Sequence, residues 1–396
     1  MAPKRYHILV VPSWYRNTYN LGAGSFVAEQ AQGLASSGHK VGILCSTQVY
    51  WFYLKRYRRL FKFFRVFKIN GLVHEILDEV FEIPPIGPSF LRRIIRKINR
   101  LRNRHSWVSL YKAYVSRFGE PDIVHFHSFY GAELAAHLRR LEKPSLVTEH
   151  WSGFLNGNRV KKECGRISAL YQNVDYVVSV SNYLGSAVKR TTGRECSIIP
   201  NCVNPLFLRA HEQAKFDLFT FVSIGAHVPI KRYDLLIRAF DAAFAEDVNI
   251  QLRLVGEGVE TESLKKLVSS VRSKDRIYFV GRLTREELAK EMSKCHCVVS
   301  SSEVETFGMT LVEGMALGLP ALSVDCGGPS SIIQHEFLGK ITGSLQTELS
   351  EGLRYIFENY EQYDPGKIKK FVGTTFTENV VLSQLDSIYA NLVGRK

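Results

Sequence analysis

Short, nearly unbroken apolar runs recur along the chain, and most are followed by a stretch with helical spacing. His7–Val11 is the first. Phe26–Ser37 then repeats its apolar residues at helical spacing and is closed by Gly38, and Val41–Cys45 is the next run, so the chain opens β-α-β. Further runs fall at Ile123–Phe126, Leu146–Thr148, Val177–Val180 and Ser197–Ile199. In the second half they lie at Phe219–Ile224, Gln251–Val255, Ile277–Val280 and Ala321–Val324, with helices predicted over Asp234–Ala245 and about Met309–Leu317. Alternating strands and helices of this kind predict an α/β fold with doubly wound parallel sheets. A chain of 396 residues exceeds one typical core, so two domains of roughly 150–200 residues each are expected. The pattern divides at residues 1–200 and 201–375, with a last helix in 376–396.

Composition adds bounds. No run of about 18 apolar residues occurs, so no membrane-crossing helix is predicted. The first residues have only five apolar positions before Pro12 and read as a strand rather than a signal peptide. Seven scattered cysteines point to reduced thiols in a cytoplasmic protein. The net charge is +14, and it is unevenly placed. Residues 1–200 hold 30 Lys+Arg and 13 Asp+Glu (+17), while 201–396 hold 22 and 25 (−3). An asymmetry of that size points to an anionic surface met by the first domain. Two segments concentrate it. Residues 50–68 mix seven basic residues with many aromatics and no acid. In 91–104, Leu91, Ile94, Ile95, Ile98 and Leu101 repeat at helical spacing among Arg92, Arg93, Arg96, Lys97, Arg100 and Arg104. Such segments lie readily on anionic bilayers; the same apolar stripe would also serve to pack on its own domain.

The stretch Ser300–Gly328 carries the most chemistry. A loop ending Glu305-Thr306-Phe307-Gly308 leads into a short helix starting at Met309-Thr310, with Gly318 and Pro320 closing it. First-turn amides of a helix lack intrahelical acceptors and sit at its positive end, which suits phosphate. Glu305 and Glu313 flank that point, and a carboxylate there can accept both hydroxyls of a ribose diol; an ordinary helix start with two exposed glutamates has the same spacing. Elsewhere, Gly22-Ala23-Gly24-Ser25 follows the first strand, as a phosphate loop or a plain turn. His125 and His127 share one face of a strand, with metal ligation the weaker reading, and His150 sits just past a strand end, where doubly wound folds place ligands. Thr284 and Glu287 form a capping box.

Glu-x7-Glu with Phe-Gly after the first Glu, then Glu-Gly-Met-Ala-x-Gly-x-Pro and Gly327-Gly328, closely resembles the donor site of family-4 retaining glycosyltransferases. The first loop with its Gly-x-Phe-Val pattern and Pro200-Asn201-Cys202-Val203-Asn204 resemble the same family, Cys202 and Asn204 being departures. The resemblance implies a GT-B fold, two Rossmann-like domains facing across a cleft, with the tail helix returning to the first domain. It implies a nucleotide-sugar donor, UDP- or GDP-linked, and an acceptor among lipid-linked or polysaccharide glycans at the inner face of the cytoplasmic membrane. Catalytic roles would fall to Glu305 at the transferred sugar, His150 opposite it, and Lys231 on the diphosphate. Gly22, Gly24, Arg232, Gly281, Arg282, Phe307, Gly308, Met309, Thr310 and Glu313 would bind donor. Ala226 stands where the family has Arg, and Ser331 where it has Glu. No Asp-x-Asp occurs, so neither metal nor cofactor is expected. Rival readings are a sugar-nucleotide epimerase or phosphorylase of like architecture, a basic nucleic-acid-binding protein, and an inactive scaffold; nucleic acid is not expected, because the donor-type motifs lie in the acidic half.

Overall fold

The computed structural model describes residues 4–15, 24–50, 66–70, 73–82, 88–211 and 213–395. The chain forms two compact units. The first comprises Met1–Ser179, Gly185–Ile199 and Leu382–Lys396, and the second Val180–Leu184 and Pro200–Val381.

The first unit contains an eight-stranded sheet. Its strands are β1 (His7–Pro12), β2 (Lys40–Tyr50), β3 (Val66–Asn70), β4 (Val73–Glu82), β5 (Ile123–His127), β6 (Ser145–Glu149), β7 (Tyr176–Ser179) and β8 (Ser197–Ile198). Their order is β3-β4-β2-β1-β5-β6-β7-β8. All neighbours run parallel except β3 and β4. Parallel strands are covered on both faces, which is why β1, β5 and β6 are buried at every position. The C-terminal helix Glu378–Gly394 fastens its end into this unit: Tyr389 Oη lies 2.8 Å from His125 Nδ1, and Asp386 lies 3.0 Å from His39 Nε2.

The apolar pattern did not reveal β3 and β4. Glu75, Asp78, Glu79 and Glu82 interrupt β4, yet it pairs with β2 over ten residues. Glu75 is fully buried and accepts a 2.7 Å hydrogen bond from Tyr15 Oη. Residues 66–68, read from sequence as the end of a surface basic segment, instead start β3 and pair with Leu77, Ile76 and Glu75 of β4. Residue 50 ends β2, and residues 51–65 of that segment lie outside the described residues.

The second basic segment lies in one long helix, Ser89–Phe118. Its last turns belong to the core: Trp107, Leu110, Tyr111 and Tyr114 are buried, and Tyr114 packs onto the bare backbone of Gly42. Its first turns do not. Phe90, Leu91, Ile94, Ile98 and Leu101 are 39–64% exposed, while Ile95 turns inward. At about 100° per residue the five exposed side chains fall within an arc of roughly 100°, bordered by the exposed Arg93 and Lys97.

The second unit holds a six-stranded, fully parallel sheet of β9 (Phe219–Ile224), β10 (Ile250–Val255), β11 (Ile277–Gly281), β12 (Cys297–Ser300), β13 (Ala321–Val324) and β14 (Gly339–Thr342), in the order β11-β10-β9-β12-β13-β14. The helix Tyr233–Phe244 buries Leu235, Leu236, Ile237, Phe240 and Phe244. The helix Gln346–Glu358, packed beside it, buries Leu349, Leu353 and Ile356.

Candidate active site

In the second sheet β9 and β12 are neighbours although two strands separate them in sequence. The strand order reverses at that point, and the carboxyl ends of strands at such a reversal are the usual ligand position in sheets of this kind. The loop after β9 carries Lys231 and the loop after β12 carries Glu305. The two are stitched together: Ser301 Oγ donates to Lys231 O at 2.9 Å, and Glu303 N donates to Ile230 O at 2.8 Å. Lys231 Nζ then donates to Glu305 Oε2 at 2.7 Å, with both side chains 20–30% exposed, as 29% and 21%. The structure therefore brings together two residues that lie 74 apart in sequence.

Glu305 is held by its backbone as well. Its N–H donates to Cys326 O at 3.1 Å, and its carbonyl accepts from Gly328 N at 2.8 Å. A Cβ on Gly328 would come within 2.4 Å of Phe307 N, so glycine is what lets the two loops lie this close. Gly308 then turns the chain at φ 115°, a conformation that side chains resist, into the helix Met309–Ala316. Phe307 is buried against Phe376, with ring centroids 5.8 Å apart. The amides of Met309 and Thr310 thus open the helix beside Glu305, as the sequence predicts.

Glu313 lies in the second turn of that helix with its side chain only 5% exposed. Arg285 donates to its Oε1. Arg285 was not foreseen; the signal available in sequence was its place directly after the capping residue Thr284. Gly281, at φ 82°, closes β11, and Arg282 beside it pairs with Glu257 at 3.3 Å on the surface. Arg232, at φ 48°, directs its guanidinium to Ser344 O at 3.4 Å, and Ala226 is exposed and supplies no cation.

In the first unit, Gly24 starts the helix Ser25–Ser36 at φ 66° and packs its bare Cα onto Trp14 O; Gly22 lies outside the described residues. His150 follows β6 directly. Its Nε2 lies 3.0 Å from His127 Nδ1, and its ring is flanked by His127 (centroids 5.2 Å, 15° apart) and by Phe26 (4.6 Å). His125 stacks on the far side of His127 at 4.4 Å and bonds to Thr148 Oγ1 at 2.7 Å. The hydrogen-bond partners of His125 are therefore Thr148 and Tyr389, and that of His127 is His150. Burial holds all three imidazoles below the usual range, His127 at about 3, so each is neutral at pH 7. Glu149, missed in the sequence, anchors His150 from behind: its carboxylate accepts from His150 N (2.8 Å), Trp151 N (2.7 Å), Tyr171 Oη (2.7 Å) and Ser128 Oγ.

Residues 21–206 match the family described as Glycosyltransferase Family 4, and residues 207–367 match Glycosyl transferases group 1. The chain belongs to the glycosyltransferases. An uncharacterised glycosyltransferase of Methanocaldococcus jannaschii is 28% identical over 61% of this chain and 66% of its own length. The lipopolysaccharide core biosynthesis glycosyltransferase LpsD of Rhizobium meliloti is 30% identical over 42% of this chain and 48% of its own. The matches thus span less than two thirds of either relative. Anabaena HepE, solved in complex with UDP, shares the fold with a TM-score of 0.71 at 14% identity, covering 97% of this glycosyltransferase and all of HepE. Two Rossmann-like domains of GT-B type are therefore the architecture, as the sequence predicts.

Proposed function

We propose that this glycosyltransferase is a retaining, metal-independent enzyme that moves a sugar from a UDP- or GDP-sugar to a lipid-linked or polysaccharide acceptor at an anionic membrane surface. The observation that carries the reading is the Lys231–Glu305 pair at the strand-order reversal, beside the opening amides of the helix Met309–Ala316. In this reading the diphosphate lies on the amides of Met309 and Thr310 and on Lys231, with Phe307 and Gly308 shaping the turn. An ammonium has three donors, so Lys231 can serve a phosphate oxygen as well as Glu305. Charge developing on the leaving diphosphate is met by fixed N–H dipoles and one cation, an arrangement that needs no metal. Glu305 would hold the transferred sugar, Glu313 the ribose diol, and the backbone near Gly281 and Arg282 the base. His150, neutral and held by Glu149 and His127, would be a hydrogen-bonding group for the sugar rather than a charge.

Two lines support the finer parts. The UDP bound in the HepE structure supports a nucleoside diphosphate donor. The role of LpsD in lipopolysaccharide core synthesis, together with the exposed apolar stripe on Ser89–Phe118, supports a lipid-linked acceptor reached at the membrane. Among the described residues no helix is long and apolar enough to cross a bilayer.

Incubating the purified protein with a panel of UDP- and GDP-sugars, and following donor hydrolysis or transfer, tests the reading. Turnover is expected to persist in EDTA. Complete loss restored by Mg²⁺ or Mn²⁺ would refute metal independence, and no binding of any nucleotide sugar would refute the donor site. Glu313→Ala should weaken nucleoside diphosphate binding by about 10- to 150-fold, the range for losing hydrogen bonds to a charged acceptor. An unchanged calorimetric affinity would take Glu313 out of the ribose site.

A further inference from the structure

Glu313 is a nearly buried carboxylate, and a carboxylate at that depth is costly unless a cation or several donors meet it. Its helix can fix its Cα but not the plane of its carboxylate, because the terminal torsion of a glutamate is broad. The group that meets it comes from another element. Arg285 is the first residue of the helix Arg285–Ser293, and that start is fixed twice over: Thr284 N donates to Glu287 Oε2 at 2.8 Å, and Glu287 N donates to Thr284 Oγ1 at 3.2 Å. The helices Arg285–Ser293 and Met309–Ala316 pack against each other. From this anchored base the guanidinium reaches Glu313 Oε1, while the arginine side chain remains 35% exposed.

We propose that Arg285 is a positioning residue of the nucleotide site: it fixes the plane of the Glu313 carboxylate so that the carboxylate accepts a ribose diol, and it thereby sets the preference for ribonucleotide over deoxyribonucleotide donors. The inference rests on the reading of Glu313 as the ribose carboxylate. A carboxylate offers about four acceptor positions, so accepting from Arg285 does not bar Glu313 from accepting a diol. The planar guanidinium orients its partner in a way that a lysine ammonium, a point charge on a flexible stem, does not.

The test compares calorimetric affinities for UDP and 2′-deoxy-UDP, and for GDP and 2′-deoxy-GDP, across wild type, Arg285→Ala and Arg285→Lys, with each variant's melting temperature as a folding control. Wild type is expected to favour the ribonucleotide by about tenfold or more, the worth of a hydrogen bond to a charged group. Arg285→Ala is expected to weaken the ribonucleotide by about that factor and the deoxy form far less, so that the ratio falls toward one. Arg285→Lys should restore affinity in part and the ratio less. If Arg285→Ala does not fold, the ratio in Arg285→Lys decides alone. A ribo-to-deoxy ratio kept at the wild-type value in the folded variants overturns the proposal, even if overall affinity drops, because the arginine would then act on stability or on another part of the nucleotide. Failure of the underlying reading looks different: wild type itself would bind neither diphosphate, or would bind the ribo and deoxy forms equally.

Discussion

Replacing Lys231 with alanine is expected to lower kcat at least a hundredfold. The loss of one preorganised donor to a developing anion costs about 3–4 kcal/mol of barrier, and nothing in the same loop is placed to take over. Ala226 has no charge to offer, and the guanidinium of Arg232 is turned to Ser344 O. A second consequence follows from the geometry. Lys231 is bonded to Glu305, so its removal also leaves a part-buried carboxylate without its cation at the position proposed to hold the transferred sugar. Glu305→Gln and the double variant separate the two effects: if Lys231 acts through Glu305, the double variant should lose little more than the worse single one. The measurement is kcat at saturating donor. Near-normal turnover in Lys231→Ala, with Arg232→Ala crippled instead, would show that the phosphate cation is the next residue along.

Reversing charge at Arg92, Arg93, Arg96 and Lys97 should release the protein from anionic liposomes while sugar-nucleotide binding stays intact. Each cation near an anionic leaflet contributes about 1 kcal/mol, so losing four lowers the partition coefficient by roughly a thousandfold even before repulsion from the new glutamates. The exposed arc of Phe90, Leu91, Ile94, Ile98 and Leu101 would supply the apolar part of such a contact, and Ile94→Ser with Ile98→Ser should weaken binding to anionic vesicles without changing the charge. Flotation with anionic and neutral vesicles reads both. Wild type that fails to float with anionic vesicles would end the membrane reading and leave the basic face to a soluble acidic acceptor.

Most strands of both Rossmann-like sheets were legible because they are buried on two faces and so spell continuous apolar runs, whereas the short strands β12 and β14 of the second sheet went unread. The donor-type loop was legible because Gly308, Gly318 and Gly328 sit where only a bare backbone fits the turn, the helix end or the loop contact. What stayed hidden depended on partners far away in sequence. Strand β4 is broken by acids, and one of them, Glu75, is met in the core by Tyr15, sixty residues away in sequence. Arg285 looks like any first-turn residue until the fold sets Glu313 in front of it. Metal ligation was only the weaker reading of His127, and its relation to His150 required β5 and β6 to be neighbours. In the long helix the apolar stripe read at 91–104 is mostly bare, only Ile95 of it being buried, and the turns that pack on the sheet lie beyond it, a division that spacing alone does not make.

The pairing of Lys231 with Glu305 and of Arg285 with Glu313 has an electrical consequence. Each carboxylate of the candidate donor site has its own cation within bonding distance, so the four charges cancel over a few ångströms, and a nucleotide is met by local donors and acceptors rather than by a far-reaching field. The unbalanced charge of the molecule lies elsewhere, in residues 1–200. At physiological ionic strength the Debye length is about 8 Å, and added salt weakens exposed charges far more than paired, part-buried ones. Rising salt should therefore detach the protein from a charged surface well before it disturbs the loading of a sugar nucleotide.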